Sequence, residues 1–170
     1  MIKIEITDEQ ILQAQKLYNF KALTNSITQG ESQIYGALGE VIAMHFLRSI
    51  NKPVQYVGSY DNDLEINGKK IDVKTIRTDK EPTNDFNLNI SAYNTKQETD
   101  FYLWCSVSQN MKYGYIIGYL AKDEFYRMAE LKKEGEIDYG AWVFKSDTYT
   151  TKLKNVKKFN LIVCILEYLY

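Results

Sequence analysis

The sequence predicts a single α/β domain built on a mixed central β-sheet flanked by helices. Three observations predict it. Residues 31–49 carry an apolar stripe at helical spacing, Ile34, Leu38, Val41, Ile42 and His45. Asn67-Gly68 lies between two alternating runs and is the strongest hairpin signal in the chain, because a type I′ turn needs positive φ at both central residues. Phe101–Val107 and Tyr113–Leu120 are aromatic and β-branched runs joined by the polar turn Ser108–Lys112, and they read as central strands. Helix, hairpin, strand, helix and further strands in that order imply helices packed on a sheet. At 170 residues the chain is long enough to bury a substantial core in one domain.

Taken in order, Ile2, Ile4 and Ile6 alternate with polar residues and predict a short opening strand. Thr7 and Gln10 have capping-box spacing, and Ile11, Gln15, Tyr18 and Ala22 suit a helix to about residue 22. Thr24–Ser32 reads as a polar loop, so residues 1–30 form an N-terminal helical extension ahead of a core over 31–120. The second helix runs from about Glu31 to Ser49, ended by Asn51-Lys52-Pro53. Val54–Val57 is a short strand, the hairpin spans Asp63–Arg77, and Thr78–Asp85 is a loop. Phe86, Leu88 and Ile90 alternate as a strand, and Ala92–Thr99 suits a short helix. Residues 121–170 supply a C-terminal helix and strands: a helix over Asp123–Lys133 with Asp123 as cap, a strand at Ala141–Phe144, and a buried strand or helix at Leu161–Tyr170.

Net charge is −1, so there is no global basic field of the kind that coats nucleic acid. Cys105 and Cys164 sit in apolar runs without metal-ligand spacing and read as buried free thiols of a reducing compartment. Charged residues interrupt the N-terminus where a signal peptide would be apolar, and the longest apolar run, Leu161–Leu166, is too short to span a bilayer. The expectation is a soluble cytoplasmic protein with no membrane partner. His45 is the one histidine, which leaves no Ser-His-Asp or Cys-His constellation, and it lies roughly 140° round the helix from Glu40. No phosphate-cradling glycine loop, zinc spacing or dinucleotide fingerprint is present.

The chemistry concentrates on the hairpin. With Asn67-Gly68 as the loop, Ile66 faces Lys69, Glu65 faces Lys70, Leu64 faces Ile71 and Asp63 faces Asp72. One face then carries Leu64, Ile66, Ile71 and Val73, and the other Asp63, Glu65, Lys70, Asp72 and Lys74. Like charges directly opposite in a sheet are destabilising. A hard divalent cation turns that repulsion into ligation, and Lys74 on the same face can stabilise a phosphorane or orient a water. Glu40 lies off its helix stripe among mostly small neighbours, Gly36, Ala37, Ala43 and Met44, which lets that helix approach a sheet and aim Glu40 at it.

Glu40, Asp63 and Asp72-Val73-Lys74 together resemble the PD-(D/E)XK nuclease superfamily, the restriction-endonuclease-like fold, over residues 31–120. Asn62 stands where that pattern often has Pro. The resemblance implies a metal-dependent nuclease. Asp63 and Asp72 would bind Mg²⁺ (or Mn²⁺) with the Val73 carbonyl, Glu40 would reach the same site, and Lys74 would support the attacking water. DNA is the expected partner, with RNA open, and a homodimer or a protein partner is a further expectation. The alternative is a catalytically silent module of the same fold that binds nucleic acid or a protein, an inhibitor included. Lys69, Lys70, Arg77 and Lys80 surround the strand and would meet phosphates. Lys152, Lys154, Lys157 and Lys158 form a second basic cluster, while the aromatic run at Phe101–Trp104 alternates as core does.

Overall fold

Local signals and long-range pairing together set the architecture of the computed structural model, which describes residues 1–20, 33–50, 53–138 and 143–159. The opening alternation becomes β1 (Ile2–Glu5), and α1 (Asp8–Phe20) begins at the expected box. There Gln10 N–H donates to Thr7 Oγ1 at 3.2 Å and Thr7 N–H donates to Gln10 Oε1 at 3.0 Å. The apolar stripe forms α2 (Gln33–Ser49). Then come β2 (Val54–Tyr56), β3 (Leu64–Ile66) and β4 (Lys69–Arg77), with Asn67 and Gly68 at φ 48° and 76° in the turn. The registers Ile66↔Lys69, Glu65↔Lys70 and Leu64↔Ile71 are those the turn dictates.

β4 lies parallel to β6 (Phe101–Val107), and β6 pairs antiparallel with β7 (Tyr113–Ala121). The six-stranded sheet has the order β1-β7-β6-β4-β3-β2. α2 packs on β4 and β6, and α1 packs on α2. Closest approach falls at Gly39, where a Cβ would run into Thr75 Oγ1 and Cys105 Sγ. On this face Val41, Ile42 and Leu47 meet Ile71, Val73 and Leu103.

The other face departs from expectation. The alternating strand after the loop, β5 (Asn87–Ser91), does not join the main sheet. It builds a second sheet in the order β5-β9-β8, with β8 (Glu130–Lys132) and β9 (Thr148–Lys152). β8 has no strong local signature, whereas β9 is rich in Thr and Tyr and carries a strand signature of its own. The helix expected over Asp123–Lys133 is correspondingly shorter, α3 (Lys122–Met128), and its cap residue is Ala121, whose N–H donates to Glu124 Oε2 at 3.2 Å. The pairing Glu130↔Thr150 draws the rest of that segment into a ladder, which outweighs its helical composition. Ala92–Lys96 is a 3₁₀ helix. Leu88, Ile90, Tyr102, Trp104 and Phe125 form the core under this face, so the aromatic run packs inward.

Val143 makes an isolated bridge to Ile137, and residues 141–142 of that expected strand lie outside the described residues, as do Thr24–Ser32, Leu161–Tyr170 and Cys164. Cys105 is a buried free thiol, pushed up to about 12 by burial. Among the described residues no helix is long and apolar enough to cross a membrane.

Candidate active site

Three elements deliver side chains to one cleft of about 350 Å³. α2 brings Gln33, Gly36, Ala37 and Glu40, the connection from β2 to β3 brings Ser59, Tyr60 and Asp63, and β4 brings Asp72, Val73 and Lys74. Asn94 and Gln97, from the crossover between β4 and β6, close the wall. All of Glu40, Asp63, Asp72, Val73 and Lys74 therefore line one surface.

Their geometry differs from the expected one at Asp63. The paired register ends at Leu64↔Ile71, and the Asp63 N–H donates to the Ile71 carbonyl at 3.0 Å. Asp63 thus stands out of step with Asp72 instead of directly across from it. The displacement gives its carboxylate a backbone donor, since Val73 N–H reaches Asp63 Oδ2 at 2.8 Å. A strand residue's N–H and C=O point to the same side, so the Val73 carbonyl also faces the Asp63 side of β4. Mutual repulsion between the two acids is relieved by this shift and is not abolished.

Asp63 and Asp72 are 7% and 5% exposed. Asp72 is pushed up from 3.8 to about 6, first by burial and also by the charge of Asp63, against the opposing pull of Lys74. Lys74 Nζ stands 2.6 Å from Asp72 Oδ2, which has no aligned hydrogen-bond donor among the described residues, and 5.8 Å from the Tyr102 ring centroid. Asp72 Oδ1 accepts from Gln97 Nε2 at 3.1 Å. Glu40 Oε2 accepts from the Tyr56 hydroxyl at 2.8 Å.

Gln97 and Tyr56 orient the acidic groups, and nothing in the sequence singles them out. Gln97 belongs to a polar stretch of mixed residues, and Tyr56 is one of 14 tyrosines. Their roles depend on which loops the fold brings together.

Asp63 and Asp72 suit a hard divalent cation: two buried oxygen donors carrying like charge, beside one lysine. Glu40 lines the cleft without completing a metal-holding cluster, since no trio of His, Cys, Asp or Glu among the described residues stands close enough to hold a metal. Mg²⁺ does not require one, since it keeps several waters and takes one or two carboxylates with substrate phosphates.

The four basic residues expected at phosphates do not line the cleft. Lys69 pairs with Asp100 at 3.7 Å and Lys70 with Glu98 at 3.6 Å, both near the hairpin turn. Arg77, at the far end of β4, lies 4.5 Å from the Tyr35 ring centroid, and Lys80 follows in an exposed turn. In the C-terminal cluster Lys157 pairs with Glu124 at 2.7 Å, and Lys152 donates to the Asp85 carbonyl. His45 faces α1, with Nε2 2.9 Å from Gln13 Oε1. No protein-family model matches the chain, and no curated protein does.

Proposed function

We propose that the chain is a metal-dependent nuclease of restriction-endonuclease-like architecture, hydrolysing phosphodiester bonds in DNA. The observation that carries this reading is the convergence of Glu40, Asp63, Asp72 and Lys74 on one cleft from three separate elements. The order of α2, the β2-β3-β4 meander and the parallel strand β6 supports it as well.

Asp63 and Asp72 would hold Mg²⁺ (or Mn²⁺), with the Val73 carbonyl beside them and Glu40 at the rim. Bound there, the ion supplies Lewis-acid polarisation of a phosphoryl oxygen and lowers the pKa of a coordinated water. Gln97 fixes the rotation of the Asp72 carboxylate through its Nε2–Oδ1 bond. Lys74 now neutralises Asp72. With Asp72 holding the ion, Lys74 Nζ would be available to donate to the attacking water or to a non-bridging phosphate oxygen. A second reading, a catalytically silent binding module, is favoured by one observation: both Asp72 oxygens are already contacted by the chain's own groups.

Cleavage of supercoiled plasmid and of single strands, with Mg²⁺ or Mn²⁺ and in chelator, tests the proposal. Wild type should cut, while Asp72→Asn and Lys74→Ala should each lose about 100- to 1000-fold, the cost of removing one preorganised charge-stabilising group. Thermal melting gives a separate readout. Mg²⁺ at about 100 times its Kd adds about 2.7 kcal/mol, roughly 5–10 °C for a chain of this size, and Asp72→Asn should abolish that shift. Absence of both signals refutes the nuclease and selects the silent module, whose binding needs no metal; a metal shift without cleavage refutes catalysis on these substrates.

A further inference from the structure

Tyr60 is an aromatic residue of the cleft wall that hydrolysis leaves without a role. It lines the cleft and is 62% exposed. The residue is nevertheless held at both ends. Its carbonyl accepts Gln97 Nε2 at 2.6 Å, and the same amide group donates to Asp72 Oδ1. One side chain therefore spans Tyr60 and the buried carboxylate. At the other end the Tyr60 hydroxyl donates to the Tyr93 carbonyl at 3.1 Å. Between them the loop is braced: Ser59 Oγ accepts from the Asp61 and Asn62 N–H groups, and Asp61 Oδ1 accepts from Glu98 N–H at 2.8 Å. Tyr93 is itself 72% exposed. An exposed ring on a braced loop is preorganised, so a partner that stacks on it orders little that is not already ordered.

We propose that Tyr60 is a stacking platform for an unpaired nucleobase, setting the adjoining phosphate at Asp63, Asp72 and Lys74, so that the cleft takes single-stranded nucleic acid. This rests on the phosphodiester reading of the same cleft. Every base has a π-face, so such a platform is tolerant of sequence. A base inside a duplex has both faces covered by its neighbours and reaches the ring only by leaving the stack. A cleft of about 350 Å³ lies at the small end of ligand pockets and suits one nucleotide at a time.

The test is binding by fluorescence anisotropy with Ca²⁺ in place of Mg²⁺, using labelled oligo-dT, oligo-rU, a fully abasic strand of the same length, and a mixed-sequence DNA duplex. Tyr60→Ala keeps the backbone carbonyl that holds Gln97, and it should weaken binding to the unpaired strands about 5- to 160-fold, the range for loss of one base–aromatic stack. Tyr60→Phe keeps the ring and should bind as wild type within about threefold. The abasic strand and the duplex should bind wild type and Tyr60→Ala alike, and the dT and rU arms identify the sugar. Equal affinity of wild type and Tyr60→Ala for both unpaired strands, or no binding to either, overturns the inference. Cleavage read separately in Mg²⁺ distinguishes the two claims. Tyr60-dependent binding without cleavage leaves the platform standing and sinks the catalytic reading, whereas cleavage indifferent to Tyr60 does the reverse.

Discussion

Asp72 is a buried acid of the cleft whose charge the fold opposes. Its carboxyl moves from 3.8 in the unfolded chain to about 6 in the fold, with burial as the main cause and Asp63 adding to it. The sign follows from proton linkage. Between these two values the native state binds more protons than the unfolded state, so metal-free stability falls as pH rises from about 4 to 6. The loss is on the order of 2–3 kcal/mol, given about 1.36 kcal/mol for each pH unit separating the two values. Asp72→Asn in chelator should therefore be more stable than wild type at pH 7 by about that amount, with a flatter profile over this window. Urea denaturation at a series of pH values measures it. A variant less stable than wild type at pH 7 would show that the Lys74 pair outweighs the burial of the charge.

At the scale of elements, the site depends on how closely α2 lies on the sheet. Gly39 is the contact, with Thr75 and Cys105 where its Cβ would be. Gly36, one turn earlier, has nothing within 4 Å of the same position. The two glycines therefore respond oppositely to alanine. Gly39→Ala overpacks the interface and should cost about 1–3 kcal/mol, while also displacing the adjacent Glu40 from the cleft. Gly36→Ala gains helix propensity and should be neutral or stabilising by up to about 1 kcal/mol. Urea midpoints with unchanged m-values are the check. Equal losses in both variants would mean that helix geometry, not contact with β4 and β6, limits the site.

Over the whole molecule, charge is balanced and locally compensated. Net charge is −1, and Lys74 is the one cation among the described lining residues of the cleft. Lys69 and Lys70 are tied to Asp100 and Glu98. A strand held there by one cation releases few counterions, so log K against log salt should have a slope of only about −0.7, the value for one phosphate neutralised on a single strand. Anisotropy titrations across salt concentrations measure it. A slope steeper than about −5 would place binding on an extended basic surface instead of in the cleft.

Turn chemistry and periodicity were legible in the chain because each acts over a few neighbouring residues. Asn67-Gly68 set the hairpin register, Thr7 and Gln10 set the start of α1, and the stripe from Ile34 to His45 set α2. Spacing along that hairpin also put Asp72 and Lys74 on one face, which the ion pair between them reflects. Pairing between distant segments was not legible. β5 meets β9 through registers such as Leu88↔Thr151, and which edge each strand finds depends on what the rest of the chain has already covered. Long-range closure also shortened α3 and carried Gln97 to Asp72 and to the Tyr60 carbonyl, while the break in register beyond Leu64↔Ile71 moved Asp63 out of step with Asp72. The sequence by itself determined the local elements and the acidic and basic groups they carry. Only the tertiary structure decided how those groups are oriented, because orientation comes from backbone donors and loop contacts between residues far apart in the chain.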